Sequence, residues 1–122
     1  MVEYKHKELT SAIINAAHAV HNKLGYGFLE KVYHKSLLIE LSKRGYHAEI
    51  EKPIHVRYDN QLVGEFFADL LVEDKVVVEV KAVDRYTSVF EAQLLNYLKA
   101  AGLEVGLIIN FGPSAEVKRM VL

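Results

Sequence analysis

The sequence predicts an α/β (α+β) fold, a mixed sheet flanked by helices. Three observations carry this. Residues 9–44 hold apolar side chains at helical spacing in two blocks, parted by Gly25-Tyr26-Gly27. Residues 47–83 change to strand character, with polar turns at Asp59-Asn60 and Glu73-Asp74-Lys75. After a third helical block, Glu104-Val105-Gly106-Leu107-Ile108-Ile109-Asn110-Phe111 is almost wholly apolar, as in a strand covered on both faces. The implied order is helix, helix, three strands, helix, strand.

The first helix is expected over residues 9–24. Thr10 is placed to cap it, and Ile13, Ala16, Ala17, Val20 and Leu24 make one apolar face. His18 and His21 stand at i, i+3. Metalloprotease helices use i, i+4 with a Glu between, so both are read as structural or surface histidines. The glycine turn ends this helix, since glycine relieves left-handed strain at a C-cap. The second helix is expected from about Phe28 to Arg44, stopped by Gly45. Glu30, Tyr33, Leu37 and Leu41 fall on one stripe, widened by Phe28, Leu29, Val32 and Leu38. Glu30 has two readings: a first-turn carboxylate favoured by the helix dipole, or a side chain reaching the sheet.

Residues 47–58 read as a strand that Pro53 confines to an edge or a bulge, because proline donates no ladder hydrogen bond. Asp59-Asn60 makes a two-residue hairpin turn. Gln61 to Val72 is the next strand, with Gly64 marking a bend or bulge, and residues 76–83 complete an antiparallel meander. The third helix starts at Thr87 or Ser88, with Ser88 and Glu91 spaced as a capping box, and ends at Gly102. Gln93 and Tyr97 share a face with Phe90 and Ala101; taken alone they read as a boundary residue and a core residue. Because residues 104–111 follow a helix, they are expected to join the sheet as a crossover strand. Gly112-Pro113 turns the chain, and Ala115 to Leu122 is expected as a last edge strand.

The hairpin from Phe66 to Val83 carries charge where a core strand should not. Asp69 lies among Phe67, Ala68, Leu70 and Leu71, while Glu79 and Lys81 lie inside Val76-Val77-Val78-Glu79-Val80-Lys81. Alternation puts Glu79 and Lys81 on one face. A three-residue loop centred on Asp74 sets residue 69 opposite residue 79, so Asp69, Glu79 and Lys81 converge. Two facing carboxylates repel, and an unpaired buried charge is costly. A divalent cation would relieve both, since hard cations prefer carboxylate oxygens. An ordinary ion-pair network on a solvated sheet face is the other reading.

Composition bounds the function. The 122 residues suit one domain, residues 1–122, with about half of them hydrophobic and a quarter charged. With no cysteine there is no disulfide, zinc-thiolate site or thiol nucleophile, which fits a reducing cytoplasm. Met1 to Glu8 is polar, with no apolar signal segment, and no run is long enough to span a membrane. The net charge of −1 gives nucleic-acid binding no global support. Lys43-Arg44 and Lys118-Arg119 are either solvated surface or the lining of a groove.

Asp69, with Glu79-x-Lys81 starting ten positions later on the adjacent strand, resembles the PD-(D/E)XK nuclease superfamily. Ala68 stands where that signature has proline. The segments Leu24–Tyr33, Ala68–Val72, Val78–Ala82, Glu91–Leu98 and Gly106–Phe111 resemble a small bacterial and archaeal branch, the "GxxxExxY" proteins, from about Leu9 to Leu122. The nominal spacing is not literal, since Gly25 and Gly27 lie five and three residues before Glu30. The resemblance implies a restriction-endonuclease-like α-β-β-β-α-β core with an extra N-terminal helix. It implies a metal-dependent nuclease on DNA or RNA, with Asp69, Glu79 and Lys81 catalytic. Glu30, Asp69, Glu79 and the Val80 carbonyl would hold Mg2+, with Mn2+ as substitute; oxygen-only ligation argues against zinc. Gln93 and Tyr97 match the Gln-x-x-x-Tyr helix motif of RecB-like members and would bind substrate or order the site, as would Tyr33 beside Glu30. It also places a His, here His21, just before the glycine turn. Nucleic acid is the implied partner, in a homodimer or a larger complex. Two other readings stand: a non-catalytic module binding nucleic acid or protein, and a metal-dependent hydrolase of another phosphorylated substrate.

Overall fold

The computed structural model, which describes residues 5–122, has a five-stranded mixed sheet with two helices on one face and a third on the other. Part of the polar N-terminal stretch, residues 1–4, lies outside the described residues. The elements are α1 (Lys7–Leu24), α2 (Glu30–Lys43), β1 (Ala48–Tyr58), β2 (Gln61–Val72), β3 (Val76–Lys81), α3 (Val89–Ala101), β4 (Val105–Phe111) and β5 (Ala115–Val121). The sheet order is β1-β2-β3-β4-β5. Only the β3–β4 pair is parallel, with α3 as its crossover; the other pairs are antiparallel. The predicted α+β, restriction-endonuclease-like core is therefore present, extended by α1 and β5. Among the described residues no helix is long and apolar enough to cross a membrane.

Alternation sorts the core into two layers. Val76, Val78 and Val80 of β3, with Val105, Leu107, Ile109 and Phe111 of β4, meet Ile13, Ala16, Ala17 and Val20 of α1 and Tyr33, Leu37 and Leu41 of α2. Val77 and Ile108 point the other way, to Leu94 and Leu98 of α3. All seven β4 residues are buried, as its apolar run requires. Each such aliphatic side chain taken from water contributes about 1.5–3 kcal/mol, so β3 and β4 anchor the domain.

The edges behave differently. β1 is an edge strand, consistent with Pro53. Asp59 and Asn60 both adopt left-handed φ (48° and 63°), the geometry a two-residue hairpin turn demands. The pairing Val56↔Gly64 followed by Arg57↔Leu62 leaves Val63 as an extra residue, a bulge beside Gly64. A second irregularity was not foreseen. Leu70 and Val72 pack with α1 and α2, yet Ala68, two residues earlier, packs with α3. The change of face falls at Asp69. Across from it, Glu51 has φ 55° and drops out of the ladder between Ile50↔Leu70 and Lys52↔Ala68.

Several local expectations are corrected. Thr10 does not cap α1: the helix starts at Lys7, and the buried Thr10 hydroxyl donates back to His6 O or Lys7 O, each 3.1 Å away. α2 begins at Glu30, two residues later than expected, because the Phe28 N–H is taken by the Tyr33 hydroxyl (3.3 Å). The Ser88–Glu91 capping box is absent. Ser88 is the N-cap residue but makes no side-chain cap hydrogen bond, and Glu91 Oε2 instead accepts from the Tyr86 hydroxyl at 2.9 Å. β3 stops at Lys81 rather than residue 83, because Asn110 of β4 captures the backbone of Val83. The Val83 N–H donates to Asn110 Oδ1 (3.0 Å), and Asn110 Nδ2 donates to Val83 O (3.1 Å).

This capture leaves no room at Gly112, where an added Cβ would stand 2.7 Å from Val83 O. Gly112→Ala should therefore destabilise the fold by about 1–3 kcal/mol, read as a lowered urea midpoint with unchanged slope.

Candidate active site

The site is built by one short hairpin. The β2–β3 turn closes with the Lys75 N–H donating to Val72 O at 3.0 Å, and Glu73 and Asp74 take left-handed φ (53° and 55°). The ladder then runs Val72↔Val76, Leu71↔Val77, Leu70↔Val78. One step further, this register sets Asp69 opposite Glu79, as the loop length predicts. The ladder stops there, and the side chain of Asp69 takes over: the Val80 N–H donates to Asp69 Oδ2 at 2.8 Å. Asp69 thus stands where β2 changes face and parts from β3.

Glu79 points to the α3 side with Val77 and is only 8% exposed. Its Oε1 is buried with no hydrogen-bond partner among the described residues. Burial, reinforced by the charge on Asp69 and relieved in part by Lys81, pushes the Glu79 carboxyl up to about 8. Lys81 follows on the same face, with its ammonium 4.7 Å from the ring centre of Phe90 on α3. Among the described residues it makes no salt bridge with either carboxylate, so a closed ion-pair network does not account for the three charges. Tyr97 of α3 packs against Phe66 of β2 (ring centroids 4.9 Å), and burial together with the charges of Glu79 and Asp69 raises its hydroxyl pKa. Gln93, one turn earlier, is exposed.

The donors suit a hard cation in part. Asp69 has one oxygen on a backbone N–H, and the orphaned Glu79 oxygen is the kind of buried acceptor that a cation or a proton satisfies. Among the described residues, however, no three His, Asp or Glu side chains gather closely enough to hold a metal. Glu30 lies exposed in the first turn of α2 and does not join the pair. The buried carboxylate of α2 is Glu40, ringed by Arg44 (2.8 Å), Lys43 (3.7 Å) and Lys23 (4.0 Å). That accounts for Lys43-Arg44 as partners of a helix acid rather than a groove.

Tyr33 is fully buried. Its hydroxyl donates to Gly25 O at 2.6 Å, and its ring stacks on Phe111 at 4.6 Å. His21 Nε2–H donates to Gly112 O at 2.9 Å, while His18 is exposed. Together these contacts dock the glycine turn onto the C-terminal end of β4. Two contributors were missed in the sequence: Phe66, which had no signal, and Asn110, whose signal was a lone amide in an apolar strand.

A family model of the PD-(D/E)XK nuclease superfamily matches residues 7–120. The chain belongs to that superfamily. Members of it are generally dependent on divalent metals. Among solved structures, the crystal structure of SSO0001 is similar in fold, with a TM-score of 0.60 at 18% identity over 95% of this chain. This PD-(D/E)XK chain spans 58% of that protein's length. No curated protein matches it.

The buried Glu79 gives the metal-free protein a pH signature. Its folded pKa lies above the unfolded value of 4.5, so between 4.5 and about 8 the folded state holds a proton that the unfolded state has lost. Stability in chelator should therefore fall as pH rises through that window, by a few kcal/mol in order of magnitude. Glu79→Gln should flatten the thermal-unfolding profile across it; an equally steep profile in the variant would assign the slope elsewhere.

Proposed function

We propose that this superfamily member is a divalent-metal-dependent nuclease of the GxxxExxY branch, hydrolysing phosphodiesters in DNA or RNA. The observation that carries this reading is the buried, unpartnered oxygen of Glu79 facing Asp69, beside a lysine that neither carboxylate neutralises. Branch membership is supported by the Tyr33–Gly25 hydrogen bond, which ties the tyrosine of the motif to its glycine turn.

Asp69, Glu79 and the Val80 carbonyl are the residues that would hold the metal, and Glu30, exposed at the start of α2, stays outside the set. Magnesium is the expected ion and manganese its substitute. Once bound, such an ion lowers the pKa of a water ligand and neutralises charge on the scissile phosphate. The residues supply the rest. The hydrogen bond from Val80 N–H fixes Asp69 in one orientation, so the carboxylate needs little reorganisation. Glu79 would have to be ionised to hold a cation, which its buried carboxyl opposes in the metal-free protein. Lys81, held over Phe90, stabilises negative charge growing on the phosphoryl oxygens or assists proton transfer at the attacking water. Tyr97 and Gln93 lie on the helix that roofs this face, where Tyr97 shields the carboxylates and Gln93 meets substrate. Because only two carboxylates converge, a substrate phosphate would be needed as a further oxygen donor to the cation.

Manganese titrated into the wild type by calorimetry, with a non-cleavable oligonucleotide present, should show binding that Asp69→Asn weakens at least tenfold. Lys81→Ala should keep that binding and lose cleavage. Wild-type affinity in Asp69→Asn would refute the site, and binding without cleavage of any DNA or RNA would leave a non-catalytic module on the same fold.

A further inference from the structure

A second feature lies on the α3 side of the sheet. A cleft of about 980 Å³ opens between the β1–β2 hairpin and the C-terminal half of α3. Asp69, Glu79 and Lys81 do not line it. The two places nevertheless share a wall. Phe66 lines the cleft and packs on Tyr97, which in turn feels the charges of Glu79 and Asp69. A chain crossing the carboxylates therefore reaches the cleft by passing one aromatic pair.

The cleft has a definite chemistry. Its walls are mostly apolar, including Ile54 and the 40%-exposed Phe66. Four basic side chains border it against one acid, Asp74. Two of the four are already paired: Lys52 with Glu49 and His55 with Glu65, each at 2.8 Å. Arg57 and Lys99 have no carboxylate partner among the described residues, and they stand on opposite walls, one on the hairpin and one on α3. Two unpaired cations across an apolar trough call for a ligand with spaced anionic groups and flat apolar faces. An unpaired polynucleotide strand has both. A duplex hides its base faces in its own stack and offers them to neither Phe66 nor Ile54.

We propose that this cleft binds the single-stranded nucleic acid flanking the bond at the carboxylates, with phosphates on Arg57 and Lys99 and bases against the apolar wall at Phe66. This rests on the nuclease reading for the direction of the strand. It names the substrate as single-stranded, which that reading leaves open.

The test is fluorescence anisotropy of a labelled single-stranded homopolymer about twelve nucleotides long. It is run in chelator so that neither cleavage nor cation binding contributes. Arg57→Glu with Lys99→Glu should raise Kd at least tenfold. Replacing both with the other base, Arg57→Lys with Lys99→Arg, should restore binding. The slope of log affinity against log salt should shrink by about 1.4 in the charge-reversed variant, two single-strand phosphates' worth. Phe66→Ala should weaken binding several-fold and Phe66→Tyr should not. Unchanged thermal unfolding in chelator would show that each variant is folded. Equal affinity in the charge-reversed variant, preference for the duplex, or no binding by the wild type would each overturn the cleft assignment. So would a wild-type dimer in sedimentation that the double substitution dissociates, which would give the cleft to a second copy. Strand binding that survives while no cleavage occurs with manganese would sink the nuclease reading and leave the cleft assignment standing.

Discussion

The hydrogen bond from Val80 N–H to the Asp69 carboxylate is the contact on which the site depends. It forms at the point where the β2–β3 ladder ends, so a side chain takes the place of a backbone acceptor. One bond thereby satisfies a strand N–H at the middle of the sheet, holds an acid beside Glu79, and stands where β2 passes from Ala68, which faces α3, to Leu70, which faces α1 and α2. Without it, Val80 would leave a buried donor unpaired, and Asp69 would be free to swing into solvent.

The cost of that arrangement falls on Glu79. A carboxylate that is 8% exposed and faces another carboxylate is a poor contributor to stability. The fold absorbs the burden because β3 and β4 carry so much apolar burial on both faces. The division of labour is spatial. Even-numbered β3 residues bind the sheet to α1 and α2, and odd-numbered ones run from Val77 in the core to Glu79 and Lys81 in the site. Asn110 of β4 and Gly112 just beyond it, with Tyr33 and His21 from the helices, fix the chain around the same end of the sheet.

Charge is distributed by the same economy of partners. The chain is nearly neutral, yet its acids and bases are not evenly matched in space. Glu40 draws in Lys23, Lys43 and Arg44 at a helix end, whereas among the described residues Arg57, Lys81 and Lys99 on the α3 side make no salt bridge. Net charge sums these regions and hides the difference between them. A polyanion meets the local field, whose reach is about a Debye length, rather than the sum.

The sequence by itself determined the element order, the two-residue turn at Asp59-Asn60, the edge position of β1, and the register that faces Asp69 with Glu79. Those are set by short-range rules: side-chain periodicity, the left-handed turn residues and the length of one loop. The stripe on α2 was legible for Tyr33, Leu37 and Leu41, but the buried acid proved to be Glu40 rather than Glu30, which stands exposed as the first residue of the helix. The caps at Thr10 and Ser88 also misled. Each hydroxyl had the right spacing, but the preceding residues could extend the helix or offer Glu91 a better partner in Tyr86. Only the tertiary structure decided that β2 changes face at Asp69, that Phe66 reaches Tyr97, and that Arg57 and Lys99 face each other across one cleft. Each of these joins residues distant in the chain, and no local period or spacing encodes which side chains a crossover helix will bring to the same side of a sheet.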